Sequence, residues 1–149
     1  MMPRFDDDIV LAKVSQARKG VATIRELWDG SGPELPDWVR MDVTVLNLQR
    51  AIEACLDLAH HLLAANEWGL PGSGAEAFDL LARHSIVHRG EVETLKGMVG
   101  FRNIAVHSYR ELREEVVVSI VRHHLADLEG FAARVVSCTL KAEMTDPKT

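Results

Sequence analysis

Apolar residues in this chain return every three or four positions along several long stretches, and glycine or proline closes the first of them. Such periodicity marks amphipathic helices, and no alternating apolar–polar run points to a strand, so the chain is restricted to an all-α fold. In the first stretch, from about Asp6 to Trp28, Val10, Val14, Ala17, Val21, Ile24 and Trp28 form one stripe. Asp6, Asp7 and Asp8 stand where the helix dipole favours negative charge. Gly30-Ser31-Gly32-Pro33 ends that helix, and Pro36 bars an early restart. The second helix runs from about Asp37 to Asn66 with the stripe Met41, Val45, Leu48, Ile52, Cys55, Ala59, Leu62. After a break at Gly69, Pro71, Gly72 and Gly74, the capping-box pattern Ser73-Gly74-Ala75-Glu76 opens a short helix through Phe78, Leu81 and Ala82. A fourth helix extends from near Gly90 to about His107. A fifth runs from about Glu114 to Leu140, with the stripe Val118, Val121, Leu125, Leu128, Ala132, Val135. The expected architecture is a bundle of four main helices plus a short one. It forms one domain over residues 1–140, followed by a polar tail over residues 141–149 that frays.

A chain of 149 residues is long enough for one core. Its formal net charge of -5 excludes a general polyanion binder. The charge is uneven, however. Between Arg83 and Arg113 there are six Lys/Arg and three acids, a balance of +3, whereas the remaining residues carry 11 Lys/Arg against 19 Asp/Glu, a balance of -8. A local basic site on an acidic body suits a short stretch of nucleic acid and not long non-specific wrapping. The N-terminal residues lack an apolar signal core, and no run is apolar enough to span a membrane. Cys55 and Cys138 lie far apart, on or near apolar helical faces, and are expected as reduced, buried thiols. The expected location is cytoplasmic.

The segment that carries chemistry is Phe101-Arg102-Asn103-Ile104-Ala105-Val106-His107-Ser108-Tyr109, at the end of the fourth helix. With Val92 set at zero and about 100° per residue, Leu95, Val99 and Val106 fall within about 60° and define the core face. Arg102 then falls at about -80°, Asn103 at about +20° and His107 at about +60°. An unpaired charge on a core-facing stripe is costly. Two resolutions are open. One is a salt bridge from Arg102 to a carboxylate on another helix, and the other is a partly buried face lining a cleft, completed by a second subunit.

This segment resembles the signature of HEPN domains, in which an Arg and a His are separated by four residues and a polar residue follows the Arg. In the HepT branch a Tyr stands two residues beyond the His. Arg102, Asn103, His107 and Tyr109 occupy all four positions. Asn47-Leu48-Gln49-Arg50-Ala51-Ile52-Glu53 resembles that branch's second helix, and the Gly69-Leu70-Pro71 break and Gly97-Met98-Val99-Gly100-Phe101 are similar too. The similarity extends from the first helix to about Val136. It implies a HEPN-like, homodimeric, metal-independent ribonuclease without a cofactor, with a cleft between protomers to which each contributes Arg102 and His107. It further implies a toxin paired with a small nucleotidyltransferase antitoxin, which silences it by attaching AMP to Tyr109.

The residue types fit that chemistry. Metal-free RNA cleavage needs a base for the ribose 2'-OH, an acid for the 5' oxygen and cationic donors for the charge on phosphorus. Histidine titrates near neutrality and suits the first two roles, and arginine presents a rigid fork matched to phosphate oxygens. One His107 per chain falls short of two roles, and a two-fold dimer supplies the second. Asn103, one turn from His107, is placed to orient the ring or hold a ribose or phosphate oxygen.

Each residue also has a purely structural reading: Arg102 as a salt-bridge partner, His107 as a helix C-terminal residue favoured by the dipole, and Tyr109 as a packing residue. Their joint register carries the functional reading. An alternative is a non-catalytic HEPN-like module that binds nucleotides or a protein, against which the presence of both Arg102 and His107 speaks. A metal-binding bundle built on His84 and His88, four residues apart, is a third reading. The neighbours His60-His61 and His123-His124 point in different directions, no cysteine or carboxylate framework completes a zinc pattern, and no metal site is expected.

Overall fold

The computed structural model describes residues 4–145. Among these, the elements are α1 (Asp7–Asp29), α2 (Asp37–Asn66), α3 (Gly74–Arg83), α4 (Arg89–His107), a 3-10 turn (Tyr109–Glu111), α5 (Glu114–His123) and α6 (Leu125–Thr145), with no strand. The helix boundaries follow local chemistry. The Asp6 carboxylate accepts the N–H groups of Asp8 and Ile9 at 2.9 and 3.2 Å, satisfying donors that α1 itself leaves open. Gly30 ends α1 at φ 84°, a left-handed conformation that glycine adopts without a Cβ clash. At Ser73 the hydroxyl accepts the Glu76 N–H at 3.2 Å, while the Glu76 carboxylate accepts the Gly72 N–H at 2.8 Å. The capping box thus closes one residue further back than the sequence pattern implies.

α2 is the central helix. It lies antiparallel to α1, with Lys13 paired to Asp57 at one end and the Trp28 indole N–H donating to Thr44 at the other. The two helices meet closely at Gly20, where a Cβ would stand 3.0 Å from the Asn47 carbonyl oxygen and 3.3 Å from the Ala51 Cβ. α4 packs on another side of α2, again antiparallel, since Arg102 meets Glu53 and Tyr109 meets Asp42. α6 covers the core formed with α1 and α2. The Cys55 thiol lies 3.9 Å from the Leu128 carbonyl, and Phe131 meets Phe78 of α3 edge to face at 5.4 Å. The Arg134–Glu91 pair ties α6 to α4.

The apolar stripes expected in α1 and α2 are the buried faces, apart from Trp28 and Met41 at their ends, which are half-buried. The single fifth helix expected from Glu114 to Leu140 is instead two helices. His124 breaks it at φ -128°, ψ 0°, with its ring Nδ1 2.9 Å from the Asp127 carboxylate. Its N–H ends α5 on the Ile120 carbonyl, and its own carbonyl accepts the Asp127 N–H that opens α6. The break shifts the helical phase, so α5 buries Val117 and Ile120 rather than Val118 and Val121, whereas Leu125, Leu128, Ala132 and Val135 are buried as expected. α6 runs beyond Leu140 to Thr145, and residues 146–149 of the expected tail lie outside the described residues. Among the described residues no helix is long and apolar enough to cross a membrane.

Candidate functional site on the α2–α4 face

The buried face of α4 turns as the helix proceeds. Val92, Leu95 and Val99 are buried early, and Phe101 and Ala105 take over at the C-terminal end. Val106, expected in the core, is therefore exposed, and so are Asn103 and His107. This rotation puts the motif on an open surface, where its polar groups keep their hydration.

Arg102 is half-buried and held at two points. Its Nε donates to Glu53 Oε1 at 3.1 Å, and its Nη1 donates to Asn103 Oδ1 at 3.1 Å. Gln49, one turn before Glu53 on α2, donates to the same Glu53 oxygen at 3.5 Å. The salt bridge to another helix is thus realised, with Glu53 as its carboxylate. Nη2 has no protein partner among the described residues, so the guanidinium is fixed in plane with donor capacity left for an anion. The His107 ring hydrogen-bonds no protein group among the described residues.

Tyr109 follows in the 3-10 turn, half exposed, with its hydroxyl donating to Asp42 Oδ1 at 2.5 Å. That hydrogen bond, together with partial burial and the Asp42 charge, raises the Tyr109 pKa above the ordinary tyrosine value. Asp42, Gln49 and Glu53 were not singled out from the sequence. They lie on one stripe of α2 with Trp38 and Leu46, spaced by four, four, three and four residues. Trp38 at 71% and Leu46 at 43% exposure are large apolar groups on a surface, beside exposed Val106 and Tyr109. A second stripe on α2, running beside its core stripe, was the available signal.

The other candidate side chains are placed elsewhere. The His84 ring stacks on Trp68 at 4.2 Å with 8° between planes, and His88 precedes α4. His61 accepts the Asp6 N–H at 2.8 Å. No group of three or more His, Cys, Asp or Glu among the described residues is arranged to hold a metal ion. Cys55 is buried, and burial pushes its thiol up to about 12. A groove of about 550 Å³ between α4 and α5, floored by Met98, Phe101 and Ile120, contains none of the four motif residues.

Residues 21–135 match the family model described as Ribonuclease HepT-like. The mRNA nuclease HepT of Shewanella oneidensis is 38% identical over 125 residues, covering 84% of this chain and 94% of its own. The solved structure of a tri-AMPylated Shewanella oneidensis HEPN toxin in complex with MNT antitoxin superposes with a TM-score of 0.79 at 36% identity, covering 87% of this chain and 98% of that one. A toxin–antitoxin structure with AMP-PNP gives 0.77 at 36% identity, covering 86% and 98%. The cytosolic protein YutE of Bacillus subtilis, at 19% identity and a TM-score of 0.79 over 97% of both chains, shares the fold. The chain belongs to the Ribonuclease HepT-like family.

Proposed function

We propose that this protein is the ribonuclease toxin of a toxin–antitoxin pair, that it cleaves RNA without a metal at a cleft between two copies of the chain, and that adenylylation of Tyr109 silences it. The observation that carries the reading is Arg102, pinned through Nε and Nη1 at the exposed end of α4, with exposed His107 five residues further on. A guanidinium so held meets a phosphate with little reorganisation. In the reaction the ribose 2'-OH attacks phosphorus and gives its proton to one His107. The 5' oxygen leaves and takes a proton from the other His107, and a 2',3'-cyclic phosphate results. Asn103 fixes the Arg102 fork. The exposed apolar groups Trp38, Leu46 and Val106 around the pair support a two-fold interface there.

The relative's name points to mRNA as the substrate class, and the partner in the solved complex points to a nucleotidyltransferase antitoxin. Both belong in the cytoplasm, where this reading places the protein. An AMP on Tyr109 brings a phosphate and a bulky base beside Arg102, competing with RNA for the same cation. The test is cleavage of RNA in excess EDTA by the unmodified protein and by His107→Ala, with product ends identified. Cleavage that survives EDTA, is lost in the variant and leaves cyclic phosphate ends is the expected result. No cleavage, with mass spectrometry confirming a bare Tyr109, would instead favour a non-catalytic HEPN-like module.

A further inference from the structure

Tyr109 is the only tyrosine in the chain, and its hydroxyl does not face open solvent alone. It reaches across from the 3-10 turn to α2 and donates to the Asp42 carboxylate at 2.5 Å. Asp42 sits one turn before Leu46 on the exposed stripe of α2 and takes part in no other side-chain hydrogen bond or ion pair among the described residues. A carboxylate whose one contact is a half-exposed phenol adds little to stability, because exposed polar pairs compete with water. Its placement matters for chemistry at that oxygen.

We infer that Asp42 positions the Tyr109 hydroxyl as an adenylyl acceptor and takes its proton when the nucleotide is transferred. This rests on the reading of Tyr109 as the modified residue. In the step, a phenolic lone pair forms a bond to the α-phosphorus of ATP held by the nucleotidyltransferase. The bond from that phosphorus to the oxygen bridging to the β-phosphate breaks, and pyrophosphate leaves with those electrons. The phenolic proton passes along the existing hydrogen bond to Asp42 and from there to water. The hydrogen bond also holds the phenol neutral in the resting state, because Asp42 favours the protonated form. Activation at the moment of transfer is therefore by a base already in contact, and not by a pool of free phenolate. The toxin thus brings its own proton acceptor to the modification, and the partner supplies the nucleotide. Among groups nearby in sequence, Arg110 and Glu111 share the 3-10 turn and His107 precedes it, but Asp42 is the group in contact with the hydroxyl.

The test incubates the purified chain with its nucleotidyltransferase and ATP labelled at the α-phosphate, and follows single-turnover transfer to wild type, Asp42→Asn, Asp42→Glu and Tyr109→Phe. Tyr109→Phe is expected to stay unlabelled. Asp42→Asn should slow transfer roughly a hundredfold, the scale of a lost general base, with its capture by the partner unchanged, and Asp42→Glu should recover part of the rate. A second measurement needs no partner. The ultraviolet absorbance of the lone tyrosinate, titrated with base, should show an ionisation above the ordinary tyrosine range that Asp42→Asn brings down toward it. Equal transfer rates for wild type and Asp42→Asn, with Tyr109→Phe unlabelled, overturn the role of Asp42 and leave the modification site standing. Label retained on Tyr109→Phe, or a wild-type chain that takes no label, overturns both. An unchanged tyrosinate titration in Asp42→Asn also overturns the proposal.

Discussion

Arg102 and Glu53 form a half-buried pair in which the two partners have different tasks. Glu53 takes one edge of the guanidinium and Asn103 holds Nη1, which leaves Nη2 as the donor that the proposed reaction would offer to phosphate. Arg102→Ala is expected to reduce cleavage at least a hundredfold with the helical content unchanged, read by a cleavage assay beside circular dichroism. Glu53→Gln keeps one weaker acceptor and is expected to lower cleavage more modestly, by roughly tenfold, with a smaller effect at saturating RNA. Tyr109→Phe is expected to keep cleavage and to escape silencing by the antitoxin, which a growth assay with the partner co-expressed would show. Cys55 gives a prediction with a definite sign. Its thiol has an ordinary value of 9.0 and is held at about 12 by burial. The folded state therefore retains a proton that the unfolded state loses. The contribution of Cys55 to stability is expected to be intact below pH 9 and to fall as pH rises between 9 and about 12. Cys55→Ala should lower stability at neutral pH, through the cavity it leaves, and flatten that alkaline decline in urea unfolding.

At the scale of elements, the α1–α2 contact depends on the absence of a side chain at Gly20. A Cβ there would already stand 3.0 Å from the Asn47 carbonyl, which is backbone and cannot swing away. Gly20→Val is expected to separate the two helices and cost about 1–3 kcal/mol, seen as a lowered Tm. The break at His124 has an opposite character, because it resets the phase between α5 and α6 and lets each bury its own stripe. Both helices meet in one core, in which Val117 and Ile120 of α5 share the cluster with Leu128 and Phe131 of α6.

For the whole molecule, the consequential feature is a set of exposed apolar residues near the candidate polar motif. Trp38, Leu46 and Val106 are exposed, the first two on the α2 stripe that carries Glu53 and the third one turn beyond Arg102 on α4. One His107 per chain cannot act as base and acid in the same step, so the reading requires two copies. Leu46→Arg is expected to give a monomer by light scattering, with intact helical content and lost cleavage. A variant that stays dimeric and active would place the interface elsewhere.

The helices were legible from sequence because their determinants are local. Asp6 and Ser73 cap, Gly30 stops a helix, and the stripes of α1 and α2 need only a constant period to mark the buried side. The motif Arg102, Asn103, His107 and Tyr109 was legible because all four residues fall within eight positions. What local periodicity does not encode is a change of phase. Val106 was expected inside and lies outside because the buried face of α4 turns toward Phe101 and Ala105, and Val118 gave way to Val117 because His124 breaks a helix that the pattern read as continuous. Nor does it encode which carboxylates meet the motif. Glu53 lies 49 residues from Arg102 and Asp42 lies 67 from Tyr109, and only the antiparallel packing of α4 on α2 brings each pair together. The sequence by itself determined the all-helical class and the candidate residue types; the tertiary structure decided which of those residues are exposed and what holds them, because burial and long-range pairing depend on how helices turn against one another.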